Sequence, residues 1–523
     1  MYFSKGWRSS MGIVPLFLLS GLIFTHALLS PTKSLQLSEA SMNTRTIQMR
    51  LGVADTITTE SPMKVAIAGG GVGGLMTARA LQKHGIDVVI YERTAEFKRF
   101  GGPIQLASNA LSTIKAIDTP LFENIMEKFT FTGVRTNGIK DGIRSEWYTK
   151  FDAITIAADE GKLPYTGVIN RPDLQEIMLE HIGDCIHNGR KVAGYENLQE
   201  GGVKIILEDG TEDEADVLIG ADGIWSQVRA QMWNEPVKEG SGATYSGYTV
   251  FAGETVHEVP DYWDVGYKVY IGPKQYFVTS DVGSGRMQWY AFIALPPGTK
   301  SRQSNKEYIR ELFNGWSEEI FDVLDATDED EIEQRDLYDR PPQMMKSWSD
   351  GYTTLIGDAC HPMMPNLGQG GGQAMEDGFI LARELAQVSS RLEIPNKLQQ
   401  YYKKRIMRTS IVQGLSRFAS DIIVTGFDTP CKVVSLWPLK IENFGPASIL
   451  TNMLKPVMPL IFYAQFKYLY MFAPERIPDE TREELVSSER ARARVLATAA
   501  WEAKKAGVKM AGSAKQFSGK DSV

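Results

Sequence analysis

A glycine-rich turn near residue 70, set between an apolar strand and a helix, constrains the fold of this chain more than any other feature. The residues from Met63 read MKVAIAGGGVGGLMTARALQKHGIDVVIYER. This pattern predicts a buried strand at Lys64–Ala68, a helix at Leu75–His84 and a second strand at Asp87–Tyr91 that ends in Glu92. Such an order is typical of a doubly wound α/β domain that binds a dinucleotide.

Each glycine of the turn Gly69-x-Gly71-x-x-Gly74 has a separate task in such a domain. Gly69 permits the tight turn, Gly71 lets the backbone approach a pyrophosphate, and Gly74 lets the helix pack closely on the strand. Glu92 is placed to accept hydrogen bonds from an unphosphorylated ribose, which favours FAD or NAD; the alternative is a glycine-rich turn without a ligand. The cofactor-binding residues predicted in this segment are Gly69, Gly71, Gly73, Gly74, Glu92 and Arg93.

Two further segments combine an apolar strand with an acid at its end. Asp216–Arg229 (DVLIGADGIWSQVR) runs through a strand into Ala221-Asp222-Gly223 and then into a helix. The strand Thr353–Ile356 ends in Gly357-Asp358, followed by the loop Gly368-Gln369-Gly370-Gly371-Gly372 and a helix from about Gln373. Because ligands of such sheets lie at the carboxyl ends of the strands, Asp358 is placed to bind the ribityl chain of a flavin. The loop amides and the helix start would stabilise the negative charge of a reduced flavin ring.

In these motifs the chain resembles the class A flavoprotein monooxygenases, whose G-x-G-x-x-G, internal D-G and late G-D motifs occur in this order. The resemblance covers roughly Met63 to Val388 and also includes Arg171-Pro172-Asp173-Leu174-Gln175, which is similar to the Arg-x-x-Leu-Gln element of that family. The alternative for Arg171 is an exposed arginine that opens an ordinary helix. The resemblance adds the cofactor candidates Arg171, Gln175, Asp222, Gly357, Asp358, Pro365, Gly368, Gly370 and Gly371.

Three stretches, at residues 101–111, 218–229 and 365–371, resemble most closely the carotenoid-epoxidising branch of that family in plastids. This resemblance implies that the ring double bonds of zeaxanthin are epoxidised to antheraxanthin and violaxanthin through a flavin C4a-hydroperoxide. It implies no catalytic side chain and no metal, and it implies electrons from NADPH, directly or through ferredoxin. It points to an algal type without the C-terminal phosphopeptide-recognition domain of higher-plant forms. The alternatives are a flavin hydroxylase of an aromatic or isoprenoid quinone-type substrate, and a flavin-bearing membrane scaffold or reductase.

The predicted fold class is α/β: a Rossmann-like FAD-binding domain with an inserted antiparallel β-sheet substrate domain and a helical C-terminal region. Short alternating strands rich in aromatic residues predict the inserted sheet: Tyr245–Gly253, Tyr267–Ile271, Gln275–Ser280 and Met287–Ile293. The predicted divisions are a signal and transit peptide (1–62), the two parts of the FAD domain (63–240 and 341–400), the substrate sheet (241–340), a helical region (401–472) and a polar helix with a tail (473–523).

Residues 433–472 are poor in charge, and Pro459–Phe472 (PLIFYAQFKYLYMF) is dense in aromatic side chains. This segment is too short to span a bilayer, but its rings and Lys467 fit a helix that lies in a membrane interface. The alternative is that it packs against the FAD domain. A lipid-soluble carotenoid favours peripheral association with a membrane.

The first 50 residues carry five basic side chains against one acidic side chain, whereas the whole chain has a formal charge of -8. A compact apolar run, Ile13–Phe24, followed by a hydroxyl-rich basic segment predicts a signal and transit peptide to a plastid, with thylakoid association; the alternative is an uncleaved anchor. The acidic remainder argues against a general nucleic-acid binder. Three cysteines without a C-x-x-C pair predict neither a disulfide framework nor a zinc site. His361 has no partner carboxylate that the sequence identifies, and we expect it to be mainly structural.

Overall fold

The computed structural model describes most of the chain beyond the predicted presequence. It describes residues 62–97, 102–256, 265–272, 274–283, 285–300, 304–426, 434–436, 439–441 and 456–506. The predicted signal and transit peptide therefore lies outside the described residues, except for Pro62. Parts of the predicted motif at 101–111 and of the low-charge region 433–472 also lie outside them.

The strands and helices of the described residues are numbered in chain order. The strands are β1 Lys64–Ala68, β2 Asp87–Glu92, β3 Ile104–Leu106, β4 Thr136–Asp141, β5 Trp147–Lys150, β6 Gly167–Ile169, β7 Ile186–Asn188, β8 Val192–Asn197, β9 Val203–Leu207, β10 Glu212–Ala215, β11 Val217–Gly220, β12 Thr244–Val256, β13 Val265–Gly272, β14 Gln275–Asp281, β15 Arg286–Ile293, β16 Glu333–Asp339, β17 Ser349–Asp350, β18 Thr353–Leu355, β19 Val434–Leu436 and β20 Leu439–Ile441. The helices are α1 Val72–Gln82, α2 Ser108–Ile117, α3 Thr119–Lys128, α4 Ala153–Gly161, α5 Arg171–Ile182, α6 Gln227–Trp233, α7 Asn305–Leu312, α8 Glu318–Asp325, α9 Gly370–Leu385, α10 Ile394–Gly426, α11 Met458–Leu469 and α12 Asp479–Lys505.

A six-stranded sheet in the order β17-β18-β11-β1-β2-β7 forms the first layer. Its neighbours from β18 to β7 pair in parallel, and only β17 runs antiparallel at the edge. The central strands are apolar runs whose side chains are buried on both faces, as expected for a parallel sheet covered by helices. Helix α1 packs on β2, and α9 packs along α1. This is the predicted doubly wound sheet.

A second sheet of seven strands has the order β16-β12-β15-β14-β13-β4-β5. The strands predicted between residues 241 and 340 are present, but the sheet is mixed rather than wholly antiparallel, because β13 pairs in parallel with β4. Two of its strands, β4 and β5, come from the part of the chain assigned to the FAD domain. Their sequences (TNGIKD and WYTK) contain Gly, Asn, Asp and Lys, which are poor strand formers. Non-local backbone pairing with β13 makes them strands, and a local pattern cannot reveal that.

The two faces of this second sheet are covered differently. Phe277 and Trp289 lie on the face covered by α7 and α8, where they belong to a closed aromatic cluster. Tyr276 and Phe292 lie on the opposite face, where they stack with ring centroids 4.2 Å apart. Met364, from the loop after β18, is buried in this second cluster. Successive side chains of a strand point to opposite faces of the sheet. One face therefore packs against helices, and the other packs against the edge of the parallel sheet.

The C-terminal part of the chain wraps back onto both sheets. Helix α10 extends beyond the predicted Tyr401–Ser420 at both ends. In α12, the buried Glu489 forms an ion pair with Arg135, at the start of the second sheet. Arg135 also pairs with Asp281 at the end of β14. Among the described residues, no helix combines the length and the apolar character needed to cross a bilayer.

Helix α11 packs on the body of the protein by one side. Phe462 and Phe466 contact Phe151, with ring centroids 4.8 and 6.3 Å apart. Leu469 and Tyr470, at the end of the helix, are buried. This side of the segment therefore packs against the part of the chain assigned to the FAD domain, which is the alternative that the sequence left open.

Candidate flavin site

Three strands of the parallel sheet end at the same edge, and each carries one of the three sequence motifs. Ala68 pairs with Gly220, and Gly220 pairs with Leu355. The register therefore brings the residues that follow each strand side by side, although almost 300 residues of chain separate the first from the last. Gly69 and Asp358 lie just beyond the strand ends. Ligands of parallel α/β sheets bind at this edge.

The fingerprint turn leaves open space at one glycine and none at the two others. Gly69 has φ +113°, and a Cβ there would lie 2.5 Å from the carbonyl oxygen of Ala221. A Cβ on Gly74 would clash with the carbonyl oxygen of Gly69. A Cβ on Gly71, in contrast, would meet no atom within 4 Å. Gly71 precedes the first turn of α1, so a diphosphate could approach backbone amides here.

Glu92 lies at the end of β2, beside the turn. It is 8% exposed, and its two carboxylate oxygens accept hydrogen bonds from the amides of Gly70 at 2.7 Å and Thr94 at 2.8 Å. Each oxygen keeps a further lone pair that a ribose hydroxyl could use. Glu92 thus stabilises the glycine turn itself, a role that its spacing in the sequence does not reveal. Arg93 is exposed.

Asp222 follows β11 and caps helix α6. Its Oδ2 accepts hydrogen bonds from the amides of Gln227 at 2.7 Å and Val228 at 3.2 Å. Its Oδ1 is buried and has no hydrogen-bond partner among the described residues. Burial raises the pKa of this carboxyl group. A buried acceptor without a donor is unfavourable in free energy. Oδ1 is therefore available to a hydrogen-bond donor of a ligand that binds beside Gly69.

Arg229 joins the second and third motifs, a role that the pattern of acids at strand ends does not predict. The side chain is fully buried. It donates to the carbonyl oxygens of Ala359 at 2.9 Å and Ile224 at 2.7 Å, and it forms an ion pair with Glu235. Arg229 therefore fixes the loop after β11 to the loop after β18. The available signal was its position at the end of the stretch DVLIGADGIWSQVR.

Asp358 lies at this edge, just beyond the end of β18, and the charge of Arg171 acts on it although the two residues are far apart in the sequence. The side chain of Asp358 is accessible, yet burial raises its pKa, which describes a carboxylate that lines a cleft inside the protein. The positive charges of His361 and Arg171 oppose this rise. Arg171 is exposed at the first position of α5, and Gln175 is half-buried one turn later. The edge thus offers an accessible carboxylate for hydroxyl groups of a ligand.

Helix α9 brings the late motif against the fingerprint helix. Cβ atoms on Gly73 of α1 and on Gly357 would each lie 3.0 Å from the Cβ of Ala374 in α9. The helix begins at Gly370 rather than near Gln373, so Gly370 and Gly371 belong to its first turn and not to a loop. The residues before it form a short 3-10 turn, Pro365–Leu367. Gly368 ends this turn at φ +59°, a conformation that favours glycine. Glycines form the start of this turn, so its backbone amides are not covered by side chains of their own residues. The predicted contact with a flavin ring requires such amides.

His361 has a partner carboxylate that the sequence did not identify. Asp377 of α9 lies 2.6 Å from His361 Nε2 and accepts hydrogen bonds from the Gly357 amide at 2.9 Å and Arg405 Nε at 2.7 Å. Burial alone would raise the pKa of Asp377, but the charges of His361 and Arg405 hold it below its ordinary value. Asp377 therefore anchors the turn that carries Asp358. The sequence does not reveal this pairing, because 16 residues separate His361 from Asp377 and His361 lies outside the helix that carries Asp377.

Glu376, the neighbour of Asp377, connects the same helix to the C-terminal region. It is fully buried and accepts hydrogen bonds from Arg405, Arg408 and Asn109 at 2.6 to 2.7 Å. Arg408 also donates to the carbonyl oxygens of Tyr468 and Leu469, at the end of α11. A ladder of buried charges thus runs from the flavin turn to helix α11.

Cys360, His361 and Asp377 hold potential metal-ligand atoms within 4.8 Å of one another. Burial raises the pKa of the Cys360 thiol, which keeps it protonated. The Arg405 guanidinium already neutralises Asp377. These groups therefore act as part of the buried network.

The residues at this edge fit FAD. The open space at Gly71 suits a pyrophosphate, the accessible Asp358 carboxylate suits ribityl hydroxyls, and the bare first turn of α9 suits the ring. Asp222, in the second motif, contributes its unpaired Oδ1 as a hydrogen-bond acceptor to the same site.

Comparison with known proteins gives one family and a set of plant relatives. Residues 62–415 match the family described as FAD binding domain. The chain is 44% identical over 407 residues to a chloroplastic zeaxanthin epoxidase of Oryza sativa subsp. japonica, covering 75% of this chain and 59% of that protein. It is 44% identical over 379 residues to the protein of the same name from Solanum lycopersicum, covering 70% and 55%. The chain thus spans less than two thirds of the length of these relatives.

Solved structures show the same fold. HpxO of Klebsiella pneumoniae, complexed with FAD and uric acid, superposes with a TM-score of 0.66 at 23% identity, covering 79% of this chain and 97% of that one. A salicylate hydroxylase substrate complex gives a TM-score of 0.60 at 21% identity, covering 78% and 98%. The predicted α/β flavoprotein fold is confirmed.

The open space at Gly71 allows a test of cofactor binding that leaves the fold intact. In Gly71→Val, the side chain would enter the space assigned to the pyrophosphate, and its Cβ would meet no protein atom within 4 Å. We expect a folded apoprotein with a near-normal melting temperature and no yellow colour. Visible absorbance after FAD reconstitution, with thermal unfolding, measures both. Gly74→Ala, which clashes with Gly69, should instead lower the melting temperature. A flavin-loaded Gly71→Val protein would remove this turn from the site.

Asp358 offers a second test at the opposite end of the cofactor. Hydrogen bonds to a charged acceptor contribute about 1.5–3 kcal/mol each, so Asp358→Ala should weaken FAD binding by roughly ten- to a hundredfold. Titration of the apoprotein with FAD, followed by flavin fluorescence, measures the change. Asp209→Ala is the control, since Asp209 lies on an exposed hairpin and pairs with Arg190. Equal affinities in the two variants would exclude Asp358 from the site.

Proposed function

The chain belongs to the FAD binding domain family, and on that basis we propose that it is an FAD-dependent monooxygenase that epoxidises the ring double bonds of zeaxanthin, giving antheraxanthin and violaxanthin. The observation that carries the proposal is the meeting of three motifs at one sheet edge, opposite an apolar face of the second sheet. The names of the plant relatives supply the substrate.

FAD, when bound and reduced by two electrons, supplies the activation of O2 and the transfer of one oxygen atom to an alkene, while the other oxygen atom leaves as water. The protein's part is to bind, orient and exclude water. In our assignment, Gly71, Asp222 and Asp358 hold the cofactor, and Asp377 fixes the turn that carries Asp358. The apolar residues around Tyr276 and Phe292 close the opposite side.

We assign no acid or base to a side chain. His361 cannot serve as one freely, because it is 2% exposed and bound to Asp377. Its place beneath the Asp358 turn suits a structural role, which agrees with the expectation from the sequence.

The two electrons would come from NADPH, directly or through ferredoxin. Among the described residues, the parallel sheet carries a single G-x-G-x-x-G turn, and FAD would fill it. The donor would therefore reach the flavin transiently, without a second dinucleotide turn on the described parallel sheet.

The outer side of helix α11 supports peripheral association with a membrane, which we propose to be the thylakoid, and the chloroplastic names of the relatives support a plastid. Leu460 is 68% exposed, and Val457 and Ile461 are 44% exposed. Lys467, the only charged residue of the helix, pairs with Glu160. The exposed side is therefore apolar and suits insertion into the interface of a bilayer that holds the carotenoid.

Product analysis under labelled O2 tests the proposed reaction. The holoprotein, with zeaxanthin in lipid vesicles and a reductant, should give mono- and di-epoxides that carry one labelled oxygen atom per epoxide. The apoprotein of Gly71→Val is the control and should give none. A hydroxylated phenol or quinone precursor as the sole product would support the alternative hydroxylase, and reduction without label in any product would indicate a reductase.

Vesicle flotation tests the membrane proposal separately. Burial of a leucine side chain contributes about 1.5–3 kcal/mol, so Leu460→Asp should weaken binding to neutral vesicles by about tenfold or more. Val495→Asp, at a 70% exposed position on α12, is the matched control and should float as the native protein does. FAD content should be unchanged in both. If Leu460→Asp floats normally, α11 is not the membrane contact.

A further inference from the structure

The apolar face of the second sheet directly adjoins the candidate flavin site. Tyr276 of β14 donates a hydrogen bond to Asn366 in the 3-10 turn before α9, at 3.2 Å. Met364 of the same loop is buried among the residues of this face. A Cβ on Gly102 would lie 3.0 Å from the Tyr290 hydroxyl of β15. Side chains on this face therefore point at the loops that surround the flavin site.

Two tyrosines on this face, Tyr267 and Tyr290, have hydroxyl groups without a hydrogen-bond partner among the described residues. Both belong to the partly buried margin of the cluster. Other tyrosines near them are satisfied: Tyr276 by Asn366, as above, and Tyr148 by Asp141 at 2.7 Å. The pair is thus exceptional on a face where tyrosine hydroxyls otherwise find protein partners.

The surroundings of the pair are those of an internal cleft. Burial raises the pKa of Tyr290 to about 12, and it raises that of Tyr267 as well. Both hydroxyls therefore keep their protons and can donate as well as accept. The positive charge of Arg171 opposes the rise in the pKa of both Tyr290 and Asp358. Both side chains nevertheless remain partly accessible.

Because both hydroxyls are partly accessible and have no protein partner among the described residues, they are available to hydrogen-bond a ligand that reaches this face. The rest of the face is mainly apolar, with Val269, Val278 and Phe292, and Gln288 lies beside Tyr290 with its amide nitrogen bound to backbone carbonyls. The apolar side chains would hold a hydrocarbon ring but could not distinguish a ring with a hydroxyl from one without. Two polar groups in an apolar wall are the usual means by which a pocket fixes the orientation of its ligand.

We propose that Tyr267 and Tyr290 form a subsite that recognises the alcohol group on the ring of a long hydrocarbon substrate. This inference rests on the proposed function and adds its specificity determinant. A tyrosine hydroxyl of this subsite pairs with the ring alcohol and so orients the ring double bond toward the flavin. A substrate without that alcohol leaves both hydroxyls unpaired and binds more weakly.

Phenylalanine substitutions test the subsite with little change of shape. The variants are Tyr267→Phe, Tyr290→Phe and the double variant, and Tyr270→Phe is the matched control. Tyr270 lies on β13, like Tyr267, but on the opposite face, where its hydroxyl binds Glu319 at 2.6 Å. Zeaxanthin and β-carotene, which has the same skeleton without ring alcohols, are the probes. Quenching of tryptophan fluorescence of the holoprotein in detergent micelles gives both affinities.

We expect the native protein to bind zeaxanthin about tenfold or more tightly than β-carotene, and the double variant to bind the two within about threefold. Affinity for β-carotene should stay constant, since no hydrogen bond is lost with that ligand. Tyr270→Phe should keep the native preference. The inference is wrong if the double variant keeps that preference, or if it binds both carotenoids equally less well, because the tyrosines would then only shape the cavity.

A second measurement depends on no variant. β-Cryptoxanthin carries an alcohol on one ring only, so the native enzyme should epoxidise the ring that carries the alcohol in preference to the other. Equal epoxidation of both rings would overturn the subsite while leaving the proposed function intact. Failure to epoxidise any carotenoid, with the binding preference preserved, would instead overturn the proposed function and leave the subsite standing.

Discussion

The parallel pairing of β1, β11 and β18 is the constraint on which the rest of this structure depends. Backbone hydrogen bonds in register bring together three strand ends from distant parts of the chain. The loops beyond them can then touch, as Gly69 does with Ala221, and helices α1 and α9 approach each other at Gly73 and Ala374. Each of these approaches requires a glycine, because a Cβ would meet a neighbouring backbone or side chain. The closure of such long loops costs conformational entropy, which the burial of the central strands on both faces offsets.

Buried charges then fix the late motif in one arrangement. Asp377 and Glu376 lie fully buried in α9 and meet Arg405 from α10. Buried ion pairs of this kind add little net stability, because the cost of removing both charges from water nearly cancels their attraction. Their effect is specificity: the carboxylates accept defined hydrogen bonds from Gly357 and Arg408, so the turn, α9 and the end of α11 have one mutual arrangement. The same network makes α11 continuous with the candidate flavin site.

The two faces of the second sheet have different roles: one forms a rigid core, and the other is available for ligand recognition. The face with Trp289 is sealed by α7 and α8 and is a conventional core. The face with Tyr276 and Phe292 meets loops instead of helices, and loops cover a sheet less completely than helices do. A cleft with partly accessible tyrosines at its margin is the result. Such a cleft suits an apolar substrate with few polar groups, because apolar walls supply affinity and isolated hydroxyls supply orientation.

The amino-acid sequence by itself determined the parallel sheet, the three motifs that follow its strands and the core strands of the second sheet, because periodicity and glycine spacing are local properties of a chain. It could not reveal β4 as a strand, the partner of His361, or the role of Arg229 between two motifs. Each of these depends on residues far away in the chain. The outcome for α11 was also decided only in the folded protein, since packing buried one side of the helix and left the other side exposed. Tertiary structure decides such matters because hydrogen bonds and ion pairs join whatever the fold brings together, and the distance along the chain does not enter.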